Sequence, residues 1–279
     1  MAWAGVRRLP ILPSAILGIV VFCAIFAPLL TPYDTSTPDT GALRQPPFWL
    51  QGGTMSHPLG ADQLGRDILT RVVFGARISL LVSVIAVFVA GTAGSTIGMV
   101  AGYFGGRIDT LLMRLVDGML ALPYMLLALV IVAVLGASLG NVIFVIALVL
   151  WASYARIIRG EVLSLKEREY IALARVAGAS PWRIIATHIF PNVVNTIIVL
   201  ATLQMGTVIL FEAALSFLGM GVPPPTPTWG GMVAEGRRFL STAWWLSTFP
   251  GLAILVTVLA ANLFGDWLRD HLDPLRQQV

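Results

Sequence analysis

Few residues in this chain have the types and spacing of catalytic groups, and the clearest pattern is a pentapeptide around Ser138. Gly136–Gly140 reads GASLG, which matches the G-x-S-x-G turn that presents a nucleophilic serine in α/β hydrolases. That turn requires a preceding strand and a nearby histidine. Here it interrupts a long apolar run, and the three histidines, His57, His188 and His271, lie in other segments. A tight turn between two helices explains the pattern better, and a hydrolase that uses Ser138 is the weakest alternative.

The lysine content excludes a phosphate-binding loop of the Walker type. Such a loop ends in Gly-Lys followed by Ser or Thr, because the lysine reaches the phosphates of the nucleotide. The only lysine of this chain is Lys166, in the sequence SLKER. Neither an H-E-x-x-H pattern nor the spacing of zinc ligands occurs around the histidines. We therefore expect no catalytic residue, bound cofactor or metal ion on this chain, and no enzyme activity of its own.

The composition places the chain in a membrane. Hydrophobic residues make up 57% of the sequence, charged residues only 11%, and the mean hydropathy is +0.85. Soluble domains carry about 25% charged residues, and a soluble fold of this length has no means of hiding so much apolar surface. The formal net charge of +4 comes from basic residues scattered between apolar runs, which argues against nucleic acid as a partner.

Six segments are long and apolar enough to cross a bilayer, since a transmembrane helix needs about 20 residues. The uncharged run from Gly118 to Ala155 is too long for one helix and is divided at Gly136–Asn141. An all-α membrane protein with six transmembrane helices is therefore predicted. Its spans are Leu9–Tyr33, Ile78–Gly106, the two halves of Gly118–Ala155, Ile184–Phe211 with a start near Val193, and Phe239–Gly265.

The basic residues set the predicted orientation through the positive-inside rule. With the N-terminus inside, twelve of the 18 Lys and Arg residues fall in inner segments and six in outer ones. Both termini and the polar segment 164–192 are therefore predicted to be cytoplasmic. Arg7 and Arg8 ahead of an apolar run also fit a signal peptide. That run is long for a signal peptide and no A-x-A cleavage site follows it, so we expect a retained helix.

Glu212 is an ionisable residue that follows a long apolar run, in VILFEAALSFLG. Ionisable groups inside a membrane are expensive and usually functional. Two interpretations of Glu212 stay open: a structural hydrogen bond near the outer end of its span, or a position on a transport path.

The polar segment 164–192 has the punctuation of a helical corner. Its first half is rich in helix-forming residues, and Gly178 stands where a glycine ends a helix. Ser180 suits the N-cap of a second helix and Pro181 its first position. This second helix is expected to run as far as Pro191.

Small residues flank this corner, and Trp182 offers a large contact beside it. A corner of small residues can enter a groove on another protein, and tryptophan often anchors such interfaces. An amphipathic helix on the lipid headgroups is the alternative, but it would need a continuous apolar face and several lysines. The segment is therefore interpreted as a protein-docking element.

Together these features resemble the permease subunit of an ABC importer. The cytoplasmic signature of that family runs E-A-A, three residues, G, nine residues, I-x-L-P, and Ala172–Ala174, Gly178 and His188–Pro191 keep its spacing. Longer stretches resemble the C-type permeases of dipeptide, oligopeptide and nickel importers, and the resemblance extends from about His57 to Pro274. These stretches are His57–Leu80, Gly102–Pro123, Ala214–Met232 and the tail DWLRDHLDP.

This resemblance implies a type I ABC importer permease fold, in which the corner is the coupling helix that docks on ATPase subunits. The sequence departs from the signature at Ala172, where the family has glutamate, and at Phe190, where it has leucine. The shape of the corner is therefore a firmer expectation than the role of one side chain. The residues expected in coupling are Glu169, Ala172, Ala174, Arg175, Gly178, Ala179, Ser180, Pro181, Trp182 and Pro191.

The same resemblance implies the partners and the division of the chain. A B-type permease would form the other half of the pathway, two ATPase subunits would hold ATP and Mg, and an extracytoplasmic substrate-binding protein would dock outside. Residues 1–56 would form an N-terminal helix with the start of an outer loop, and residues 57–279 the permease domain. The location implied is the inner membrane of a bacterium, in contact with its lipids.

Short peptides are the cargo that this resemblance favours. Nickel chelates, glutathione and other small solutes are alternatives, since similar permeases carry them. A secondary transporter is a further alternative, but it would need charged groups near mid-bilayer, and only Glu212 is a candidate.

Overall fold

The structure is a computed structural model that describes residues 10–272. The predictions that involve Arg7, Arg8, Arg276 and the end of the tail at Asp273–Pro274 lie outside the described residues. Helices dominate the described part. They are α1 (Ile11–Leu30), α2 (Ile68–Phe104), α3 (Gly106–Ala121), α4 (Tyr124–Leu135), α5 (Leu139–Leu165), α6 (Glu169–Val176), α7 (Pro181–Ile184), α8 (Phe190–Phe217), α9 (Trp229–Gly236) and α10 (Trp245–Leu272).

Five of these helical stretches are long and apolar enough to cross a membrane, counting α7 and α8 as one, and α3 with α4 makes a sixth if the pair is taken as one span. The axes of α3 and α4 meet at 89° around Leu122 and Pro123. Helical structure begins before the predicted start of the third span at Gly118, because α3 starts at Gly106. Asp109 of α3 is paired with α5, since Arg159 donates two hydrogen bonds of 2.5 and 2.6 Å to its carboxylate.

The second span also begins earlier than predicted, at Ile68 rather than Ile78. Asp67 caps α2, since its carboxylate accepts hydrogen bonds of 2.7 Å from the backbone N–H and the hydroxyl of Thr70. Arg71 lies within this extension and is buried, because it is paired with the carboxylates of Asp62 and Glu235. A prediction that excludes every charged residue from the helix therefore places the start of α2 too late.

The glycines of α2 let it pack closely on α5. A Cβ atom at Gly94 would lie 2.2 Å from the carbonyl oxygen of Trp151, and one at Gly98 would lie 2.6 Å from that of Ala155. Backbones can approach this closely only where the side chain is a hydrogen atom. Gly102 continues the same face toward Val162. The α2–α5 pair is the centre of the bundle, and α8 and α4 complete its largest apolar core.

The predicted turn between the third and fourth spans is confirmed. Gly136 has φ of +83°, and the hydroxyl of Ser138 accepts a hydrogen bond of 3.1 Å from the N–H of Asn141, which caps α5. The side chain of Asn141 donates back to the carbonyls of Leu135 and Gly136 at 3.0 and 2.9 Å. Ser138 is thus a capping residue between two helices, a setting unlike the strand-to-helix turn of a hydrolase.

Candidate functional site

The predicted corner is present, and α6 ends in a Schellman motif. Gly178 has φ of +80°, its N–H donates to the carbonyl of Arg175 at 3.0 Å, and the N–H of Ala179 donates to that of Ala174 at 3.0 Å. These two bonds satisfy carbonyls that the end of a helix leaves unpaired. The left-handed conformation at Gly178 turns the chain sharply and fixes the angle between α6 and α7.

The helix that follows the corner starts as predicted. The hydroxyl of Ser180 accepts a hydrogen bond from the N–H of Arg183 at 3.4 Å, and Pro181 occupies the first turn of α7. Proline suits that position, because its missing N–H would have no partner within the helix.

The predicted stop of this helix at Pro191 is wrong, because the chain stays helical from Pro181 to Phe217. Residues 185–189 form one π-helical turn, in which the N–H of Phe190 donates to the carbonyl of Ile185. A wider turn removes the clash that a proline makes with the carbonyl four residues before it. The corner is therefore joined to the α8 span by continuous helix rather than by a break, and α8 begins at Phe190 rather than near Val193.

One side of the corner is buried against the ends of three spans. Ile171 of α6 and Ile184 of α7 are fully buried, together with Ile189 of the π-helical turn. They form one apolar cluster with residues of α2, α5 and α8, namely Met99, Ile158, Val162 and Val193. Lys166 adds a hydrogen bond of 3.1 Å to the carbonyl of Gly102 near the end of α2. A force on the corner is therefore applied to packed helices.

The opposite side of the corner is an exposed apolar surface, called here the corner face and made of Leu173, Val176, Gly178 and Trp182. Val176 is 87% exposed, Leu173 68% and Trp182 63%. Nothing lies within 4 Å of the position of a Cβ atom on Gly178. The ring of Trp182 contacts Phe104 edge-on at 5.5 Å, so the tryptophan is held at the surface. Exposed apolar surface of this kind marks interaction sites.

The charged residues around the corner face are exposed. Glu169 lies in the first turn of α6, where a carboxylate is favoured by the helix dipole. The guanidinium of Arg175 lies 5.5 Å from the centre of the Tyr103 ring. Ala172 is exposed beside them, at the position where the family signature has glutamate. Pro191 is exposed at the start of α8.

Glu212 lies in α8, away from the corner, and is only 1% exposed. One carboxylate oxygen accepts a hydrogen bond of 2.7 Å from the hydroxyl of Ser216. The other carboxylate oxygen is buried without a hydrogen-bond partner among residues 10–272, so both interpretations of Glu212 stay open.

A cluster of buried charges at the other end of the bundle was missed by sequence reasoning. Asp62, Arg66, Arg71 and Glu235 join the segment before α2 to α9 and are called here the outer ion cluster, after the side of the membrane predicted for them. Arg66 bonds Asp62 at 2.7 Å and Glu235 at 3.1 Å, while Arg71 bonds Glu235 at 2.9 Å and also contacts Asp62. No local pattern announces pairs so far apart in the chain; the signal available was the unusual density of charge in ADQLGRDILTR.

The protonation of Glu235 is controlled by this cluster. Its partial burial would by itself raise the pKa, but the hydrogen bond and charge of Arg71, with Gln63 and Arg66, hold the pKa of Glu235 below its usual value. The outer ion cluster borders a cavity of about 520 Å³ that the proline-rich loop after α8 also lines. Arg237 and Arg238 stand at its rim.

Across residues 10–272, no group of three or more His, Cys, Asp or Glu side chains is placed to hold a metal ion.

Two family patterns match the sequence. The one described as "Binding-protein-dependent transport system inner membrane component" matches residues 94–278, which include the whole corner, and "N-terminal TM domain of oligopeptide transport permease C" matches residues 8–47. The chain belongs to the first of these families. It is an inner-membrane permease with several apolar spans.

Curated relatives of the permease cover nearly all of it. The di/tripeptide permease DppC of Pseudomonas aeruginosa is 47% identical over 92% of this chain and 84% of its own length. The dipeptide permease DppC of Escherichia coli K12 is 50% identical over 93% and 87%. A glutathione permease, GsiD of Escherichia coli O6:K15:H31, is 43% identical over 98% and 89%.

The fold of the permease is shared with a solved transporter. An inward-facing structure of the MetNI methionine ABC transporter aligns with a TM-score of 0.58 at 15% identity, over 73% of this chain and 96% of that one. The predicted all-α membrane fold of a type I ABC importer permease is thereby confirmed.

Proposed function

We propose that this permease forms half of the translocation pathway for short peptides in a heteromeric ABC importer. The relatives named for dipeptides and tripeptides support this cargo, and the relative named for glutathione supports the same class, since glutathione is itself a tripeptide. Nickel chelates and other small solutes remain the alternative cargo.

The single observation that carries the coupling role is the two-sided build of the corner. Its exposed corner face is apolar and free, while its buried side is packed on α2, α5 and α8. An ATPase subunit that moves against the corner face would displace packed helices together rather than bend one residue. This is rigid-body switching between outward and inward exposure of the pathway.

The proposed partners follow from this mechanism. Two ATPase subunits bind ATP and Mg and dock on the corner face, so the permease itself does not hydrolyse nucleotide. A B-type permease completes the pathway, and a substrate-binding protein docks on the outer segments around the outer ion cluster. Both termini lie in the cytoplasm, on the same side as the corner.

Two units make up the proposed chain. Residues 1–56 form the N-terminal helix and the start of the outer loop, and residues 57–279 form the permease domain with its coupling segment 164–192. The separate family matches at 8–47 and 94–278 support a boundary between them.

The coupling role is tested by Gly178→Arg, with Gly178→Asn as the matched control. Asparagine tolerates the left-handed conformation of Gly178. Arginine is strained in that conformation and also places a long charged side chain on the corner face. In the reconstituted complex, Gly178→Arg is expected to abolish stimulation of ATP hydrolysis by the loaded binding protein, and Gly178→Asn to retain most of it. Normal stimulation in an assembled Gly178→Arg complex would refute the docking role.

A further inference from the structure

A second cavity opens on the side of the bundle, at the break between α3 and α4. It has a volume of about 230 Å³ and is lined mainly by apolar residues, to which Tyr124 of α4, Ser153 of α5, and Gln204 and Thr207 of α8 add polar groups. Ser153 is next to the middle of α5, and Gln204 is at the middle of α8. The cavity is therefore near the midplane of the membrane, where polar side chains need a polar neighbour.

These polar side chains have no partner within residues 10–272, whereas other span hydroxyls do. Thr96 and Thr202 donate to the carbonyls four residues earlier, at 2.7 and 2.9 Å, which is how a hydroxyl is satisfied in an apolar setting. Thr207 is also exposed, yet no such bond forms at Thr207 or Ser153. Their hydroxyls are left open toward the cavity.

The break supplies further hydrogen-bonding groups. No side chain caps the start of α4 at Pro123. The last carbonyls of α3 receive no hydrogen bond from a following helical turn, because α3 ends at Ala121. Discontinuous helices at mid-membrane are a recurrent way to present backbone groups to a transported molecule. Irregular backbone at this depth is tolerated only where it faces protein or a water-filled cavity.

We propose that this cavity is the mid-membrane contact site for the transported peptide, with Ser153, Gln204 and Thr207 hydrogen-bonding its backbone amides. This inference rests on the proposed function. The lining of the cavity contains no charged residue. A neutral lining of donors and acceptors suits a cargo whose amide backbone is constant while its side chains vary in charge, because it neither traps nor rejects a charged side chain.

Water access to the site is tested by cysteine labelling. Cys23 is the only cysteine of this chain, so the Cys23→Ala permease is free of thiols, and Thr207→Cys is compared in it with Leu259→Cys. Leu259 is exposed and lies at the middle of α10, so it matches the depth of Thr207 on an apolar surface. A charged methanethiosulfonate reagent is expected to modify Thr207→Cys in the assembled complex and to leave Leu259→Cys unmodified. If the reagent modifies neither cysteine in any nucleotide state of the complex, the proposal is overturned.

Contact with the peptide is tested by transport. Thr207→Val keeps the shape of the side chain but removes the hydroxyl, and is expected to lower uptake of a di- or tripeptide by about two- to tenfold. Thr207→Ser restores the hydroxyl and is expected to restore uptake, which separates the contact from an assembly defect. Equal uptake by Thr207→Val and the unmodified complex would refute the contact. Failure of the unmodified complex to carry any short peptide would instead refute the proposed cargo, and with it the peptide contact, whatever the labelling shows.

Discussion

Replacing Arg71 by methionine is predicted to destabilise the end of the permease that holds the outer ion cluster. Arg71 is only 3% exposed and is paired with both Asp62 and Glu235. Methionine fills similar space without charge, so the change leaves the buried Asp62 and the half-buried Glu235 with one fewer cation. Removing one partner from a buried ion pair costs about 3–5 kcal/mol. Arg66 still bonds both carboxylates, which places the expected loss at the lower end, about 3 kcal/mol.

Arg156→Met is the matched control for this substitution. Arg156 pairs with Asp117, but the two side chains are 52% and 65% exposed. Exposed pairs contribute about 1 kcal/mol or less, so the same chemical change is expected to have little effect there.

Thermal unfolding of the purified complex in detergent measures both variants. A loss of about 3 kcal/mol corresponds to a fall in Tm of roughly 6–12 °C for a chain of this size. The double variant Arg71→Met with Asp62→Asn is expected to recover part of this loss, because Arg66 then balances one carboxylate rather than two. A Tm for Arg71→Met no lower than that of Arg156→Met would refute the reasoning that the outer ion cluster is a buried, stabilising network.

Two further predictions concern packing and pH. Gly94→Ala is expected to destabilise the bundle by about 1–3 kcal/mol, because a Cβ atom would overlap the carbonyl oxygen of Trp151. Gly160 has open space around it, so Gly160→Ala is expected to be neutral or stabilising. A lower Tm for Gly160→Ala than for Gly94→Ala would exclude the close contact between α2 and α5. The pKa of Glu235 is lower folded than unfolded, so its stabilisation is present at neutral pH and is lost as the pH falls from the usual value of 4.5 through the folded pKa. Glu235→Gln is expected to flatten this acid limb of the stability profile, and an unchanged limb would show that Glu235 does not set it.

The sequence predicts those parts of the permease that depend on residues close to one another along the chain. The presence of α1, the turn at Gly136 and the two caps of the corner are local, because each needs only a hydrophobic run, a glycine with positive φ or a capping hydroxyl. The roles of Gly178 and Ser180 in shaping the corner are therefore confirmed. Their part in docking on an ATPase stays a prediction.

The features that the sequence does not predict depend on residues that meet only after folding. Arg71 reads as an exposed loop charge until Glu235 is brought beside it, and α2 is therefore predicted too short. Pro191 reads as a helix stop because the π-helical turn that accommodates it has no local signature. The break at Pro123 is hidden in a long apolar run, and so is the polar cavity next to it.

The coupling role of the corner is tested most directly by asking whether the corner face touches an ATPase subunit. Val176→Cys, which replaces a side chain of that face that is 87% exposed, is compared with Met55→Cys, which is similarly exposed in the segment before α2, both in the Cys23→Ala background. A photoactivatable thiol reagent attached to each cysteine in the assembled importer is predicted to cross-link Val176→Cys to an ATPase subunit and Met55→Cys to none. Cross-links from Met55→Cys to an ATPase, or none from Val176→Cys, would contradict the central claim that energy reaches this permease through the corner.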